Sequence, residues 1–190
     1  MKHIIKGVHL AHLGPRGAQA TEVVIAKIAR GTDSTQMRAL KNEAEFYARL
    51  RDLQGRFLPR CYGFFRCKDQ GEDIACLLLE YCIGFAPSTE QEIVEYHRAK
   101  MIAVCKIHEY GVQHGNLSRA HHFVRTGDGV RVLDFSLAVL HSCVNAYPVN
   151  TNPRAPRDLI LQCKELVNME MTCGFRHDRA AEQGYYRKRY

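Results

Sequence analysis

The two longest apolar runs of the chain, EVVIAKIA (22–29) and IACLLLEYCIGF (74–85), have strand length and fall far short of a membrane span, which needs roughly 20 residues. Each must pair with neighbours to bury its apolar side chains. The surrounding sequence supplies them. In KGVHLAHLGPRGAQATEVVIAKIA, Val8, Leu10 and His12 alternate with His9, Ala11 and Leu13, the period of a half-buried strand, and GPRG offers turn chemistry before Val23, Val24 and Ile25. The stretch DSTQMRALKNEAEFYARLRDLQG reads as a helix, capped by Asp33 or Ser34, with Met37, Leu40, Ala44, Tyr47 and Leu50 as its apolar stripe and Gly55 after its end. FLPRCYGFFRCKDQGEDIACLLLEYC then gives two antiparallel strands around a polar turn.

The texture changes at GFAPSTEQ. A second helix, EQEIVEYHRAKMIAVCKIHEYG, is predicted with Ser88 or Thr89 as cap and Gly111 as stop. GVRVLDFSLAVL follows, with Gly127, Asp128 and Gly129 as a hairpin turn. After the proline-containing loop NAYPVNTNPRAPRD, a last helix is predicted over PRDLILQCKELVNMEMT. A length of 190 residues suits one domain with a sizeable core, and 46% hydrophobic with 25% charged residues suits a folded chain. MKHIIKGVHL lacks the long apolar region of a secretory signal.

Eight cysteines are scattered without a CxxC pair, several of them inside apolar runs. They read as reduced, buried thiols of a cytoplasmic or nuclear protein. A zinc site is the alternative, and it needs four ligands brought together from distant segments. The formal net charge of +7 favours acidic partners, but the dense basic cluster is confined to a tail from about residue 176, ending Arg187, Lys188, Arg189. That tail reads as a solvated terminus, or as a contact for nucleic acid or an acidic protein.

From about Lys6 to about Ala138 the chain resembles the protein-kinase superfamily, on several motifs in the family's order. VVIAK resembles the strand-borne lysine motif and makes Lys27 the candidate to hold nucleotide phosphates. Glu43 in NEAEFYARL is its implied helix partner, with Glu45 as runner-up. LLLEYC resembles the segment joining the lobes, which implies Leu79 as gatekeeper and the Glu80 carbonyl and Cys82 amide as adenine contacts. HGNL resembles the catalytic loop, with His114 as a backbone-bracing residue, and LDFS resembles DFG, with Asp134 as a magnesium ligand. Asp134 follows Asn116 by 18 residues, the family's spacing. The implied fold is α+β and two-lobed within a single domain. A small antiparallel sheet plus one helix occupies residues 1–82, and a shortened, mainly helical lobe occupies 83–190.

The departures bear on function. Asn116 occupies the position of the catalytic aspartate, where a carboxamide can bond a hydroxyl but cannot take its proton. His121 occupies the position of the second metal ligand, and magnesium prefers hard oxygen donors to imidazole. Ser136 replaces the glycine after Phe135. No GxGxxG precedes Lys27, so the first strand and its glycine-rich flap are expected to be missing, with Gly14 and Gly17 in a hairpin turn. Only 56 residues follow Asp134, and no APE motif appears.

The expectation is a pseudokinase-type binding or regulatory module that binds ATP weakly or takes no cofactor, with little support for magnesium. Another protein is the expected partner, with a homo-oligomer as a further possibility. One alternative is a slow, atypical ATP-dependent kinase of proteins or small molecules. The other is a nucleic-acid or acidic-protein binder that uses the basic surface.

Overall fold

The structure is a computed structural model and describes residues 2–5 (backbone), 7–14, 22–31, 34–143 and 163–175. It is mixed α+β. Five strands, β1 (Lys2–Ile5), β2 (Val8–Leu13), β3 (Glu22–Arg30), β4 (Cys61–Asp69) and β5 (Glu72–Glu80), form one sheet in the order β1-β2-β3-β5-β4. Every neighbouring pair is antiparallel. The expected loss of a first strand is therefore corrected. KHII pairs with β2, and the Gly7 carbonyl accepts the Ile28 amide at 2.7 Å, stitching the β1–β2 turn to β3. The link between β2 and β3 carries GPRG, of which residues 15–17 lie outside the described residues. β4 and β5 turn through Gln70 and Gly71, both at positive φ (50° and 86°), as a tight two-residue hairpin requires.

Alternation places Ala75, Leu77 and Leu79 of β5 on the face covered by helix α1 (Thr35–Arg49). Burial of such leucines is worth about 1.5–3 kcal/mol each. Ser34 caps α1 by accepting the Met37 amide at 3.0 Å, while Asp33 lies outside the described residues. The buried stripe runs Met37, Leu40, Glu43, Tyr47, Leu50, so a carboxylate takes the place expected for Ala44, which is only half-buried.

Helix α2 (Glu90–Glu109) is capped by Thr89, whose hydroxyl accepts the Glu92 amide at 3.1 Å. It packs on the hairpin β7 (Phe123–Thr126)–β8 (Gly129–Val132) and on α3 (Lys164–Thr172). The part of the expected last helix over 156–162 lies outside the described residues, as does the basic tail. A second short ladder joins β6 (Val112–Gln113) to β9 (Val139–Leu140). One core runs from Ala29 on the sheet through Leu50, Ile107 and Phe135 to Cys173. None of the helices among the described residues is long and apolar enough to cross a membrane.

Candidate functional site

A cleft of about 560 Å³ opens beside the sheet. Lys27 on β3, Glu43 on α1, Leu79 and Glu80 at the end of β5, Tyr81 and Cys82 just after it, and His121, His122, Asp134 and Ser136 line it. Gly7 and Val8 form its edge at the β1–β2 turn. The volume lies in the range of small-molecule sites.

Lys27 Nζ donates to both oxygens of Glu43, at 2.7 and 2.8 Å, and stands 3.7 Å from Asp134 Oδ1. Glu45 instead faces solvent and pairs with Lys41 at 3.7 Å. Burial raises the Glu43 carboxyl above its usual range, although the Lys27 charge and hydrogen bond pull the other way. At Asp134 burial also opposes ionisation, but Lys27, hydrogen bonds from Ser136 and His122 outweigh it and hold the carboxyl below its usual range. Asp134 has φ +68°, a left-handed conformation unusual for a residue with a side chain.

Helix α1 is fastened to the segment after Asp134. Asn42 Nδ2 donates to the carbonyls of Phe135, Ser136 and Ala138 at 3.3, 3.1 and 3.0 Å. Phe135 is fully buried, edge-on to Tyr47 with ring centroids 5.4 Å apart, and so stays out of the cleft. Asn42 carries no sequence signal beyond its place beside Glu43.

His114 and Asn116 are not among the residues that line the cleft. His114 is fully buried. Its Nε2–H donates to the Leu133 carbonyl at 2.9 Å and its Nδ1 accepts the Asn116 amide at 3.3 Å, which fixes a neutral tautomer. The Asn116 carbonyl accepts Nδ1–H of His122 at 2.8 Å. His122 Nε2 then faces Asp134 Oδ2 at 3.3 Å. His122 is buried and His121 exposed, so the histidine nearest to Asp134 is one residue later than the position singled out by spacing. Gly115, between His114 and Asn116, has φ +81°, and a Cβ there would meet the Leu137 carbonyl oxygen at 2.6 Å.

Near the strand exit, the Glu80 amide donates to the Arg60 carbonyl at 2.8 Å, and its carboxylate accepts the Arg60 amide at 2.9 Å. Leu79 is buried at the cleft wall. The Cys82 thiol is pushed up to about 11, mainly by burial, and is protonated at neutral pH. It is a contact surface rather than a nucleophile. None of the eight cysteines is in a disulfide.

Burial lowers both His114 and His122 below the ordinary histidine value, against opposing pulls from the Leu133 and Asn116 carbonyls and from Asp134. The unfolded chain therefore binds protons that the folded one refuses, and stability is lost as pH falls below about 6.5. Asp134 and Glu165, both lowered, add a further loss only as pH falls through the carboxylate range, and Glu43, raised, opposes that second loss. The expected result is a melting temperature that starts to decline between about pH 7 and pH 6. A melting temperature constant down to about pH 5 would show that neither imidazole is held neutral.

Neither a protein-family model nor a curated protein matches the chain.

Proposed function

We propose that the chain is a short pseudokinase-type module with a two-lobed, protein-kinase-like arrangement, serving as a binding or regulatory unit rather than a catalyst. Residues 1–82 form the smaller lobe in this reading, and 83–190 the shortened second one. The observation that carries it is the mixed state of the cleft. The Lys27–Glu43 pair is formed at 2.7 Å with Asp134 beside it, yet the other oxygen of Asp134 faces the His122 imidazole at 3.3 Å. Asn116 supplies no base, and His121 and His122 supply no hard oxygen for magnesium. A partner protein would meet apolar side chains at Leu137, Val139 and Leu140, which are 57, 51 and 68% exposed.

A nucleotide in this cleft would have its phosphates drawn by Lys27 and repelled by Asp134, with no metal to reverse the repulsion. The expected result of a thermal-shift titration with ATP is stabilisation that is weak and unchanged by magnesium. Asp134→Asn is expected to leave it intact or strengthen it. Strong stabilisation that requires magnesium and disappears in Asp134→Asn would overturn the reading.

The preassembled Lys27–Glu43–Asp134 set favours a second reading, a slow atypical kinase, since phosphoryl transfer rests largely on positioning and charge. Phosphate transfer from ATP that is lost in Lys27→Ala would select it.

A further inference from the structure

Away from the cleft, four metal-ligating side chains converge. His108 ends α2, His141 and Cys143 follow β9, and Cys163 caps α3. One ligand atom from each lies within 4.8 Å of all the others. We propose that His108, His141, Cys143 and Cys163 bind one zinc ion in a closed, four-coordinate structural site.

The geometry and donor set support this independently of the nucleotide cleft. Cys163 Sγ stands 3.6 Å from His108 Nδ1. A tetrahedral zinc with bonds of about 2.3 Å to sulfur and about 2.0–2.1 Å to nitrogen has a sulfur–nitrogen edge of about 3.6 Å. His108 Nε2–H donates to Glu165 Oε2 at 2.8 Å, which leaves Nδ1 as the lone pair toward Cys163. A ligating histidine whose other nitrogen is held by a carboxylate is the usual outer arrangement of zinc centres.

The His141 ring stands edge-on to that of His108 at 5.2 Å, and its Nε2 is buried with no hydrogen-bond partner among the described residues. His141 is positioned by its amide, which donates to the Gly111 carbonyl at 2.9 Å directly after α2. Cys143 lies two residues on, the spacing that returns a side chain to the same side of an extended chain. Two sulfurs and two imidazoles select zinc over magnesium or calcium. On binding, both thiols release their protons to solvent. Two thiolates then cancel the dipositive charge, and a neutral centre suits a site where His108 is fully buried. With four protein ligands no position remains for substrate, so the role is to pin α2, β9 and α3 together.

The test uses the full chain, expressed with zinc in the medium and purified with reductant and no chelator. Elemental analysis is expected to give about one zinc per chain. Cys143→Ser and Cys163→Ser are expected to lose it, whereas Cys67→Ser, at an exposed position on β4, keeps it. Because ligand variants can fail to fold, the wild-type chain is also stripped, reduced and titrated with cobalt. A tetrahedral, thiolate-ligated cobalt spectrum at one equivalent is expected, together with zinc absorption fine structure showing two sulfur and two nitrogen neighbours. The proposal is overturned by wild-type protein that holds no zinc and gives no such spectrum. It is equally overturned by zinc retained in both serine variants, or by a Cys143–Cys163 disulfide in chain alkylated at lysis.

Discussion

Glu165→Ala is expected to cost about 3–5 kcal/mol of folding free energy, the range for removing one partner of a buried charged network. For a domain of this length that corresponds to a drop in melting temperature of roughly 10 °C or more. Glu165 is 9% exposed, yet its carboxylate organises three donors. Oε2 accepts His108 Nε2–H at 2.8 Å and the His114 amide at 2.9 Å, while Oε1 accepts the Gly115 amide at 2.7 Å. Burial opposes the charge, but His108 and the two amides more than compensate and hold the carboxyl below its usual range. Alanine would strand all three donors where water enters poorly. Glutamine keeps one acceptor oxygen and turns an NH2 toward the other donor, so an intermediate loss is expected. Chemical denaturation, repeated with a chelator present, measures the amide contribution apart from any metal. A loss under about 1 kcal/mol would mean that water replaces the carboxylate.

The second large effect concerns the cleft. Lys27→Met is expected to destabilise the fold by about 3 kcal/mol near neutral pH, because Glu43 is left 2% exposed with its cation gone. Glu43 already ionises above its usual range, so this loss should shrink as pH falls and the carboxyl takes up a proton. Adding Glu43→Gln to Lys27→Met removes the stranded charge and should recover at least half of the loss. The full double-mutant cycle measures the coupling. Strictly additive single effects would show that the 2.7 Å pair contributes no coupling to stability.

Sequence legibility follows the range of the interactions. The strand pairs flanking Lys27 and Leu77 are readable because alternation and turn residues are local signals. The contact of Lys27 with Glu43 rather than Glu45 is readable because Glu43 lies between Leu40 and Tyr47 on one helix face. Strand β1 escapes notice because KHII is only four residues and a single glycine, Gly7, marks the turn after it, so it becomes a strand only through pairing with β2. His122 hides behind His121 because family spacing counts residues, whereas the 3-10 turn at Ala120–His122 decides which ring reaches Asp134. Glu165 and the four converging His and Cys side chains join positions too far apart in sequence for any periodicity to connect. What brings them together is the docking of α2 against α3 and the pairing of β6 with β9, both tertiary events.

Asn42 spans three successive stations of the 135–138 segment from the helix that carries Glu43. Displacing the helix from the segment would break all three hydrogen bonds at once. A contact on the outer side of that helix is therefore joined, through one side chain, to the backbone just beyond Asp134.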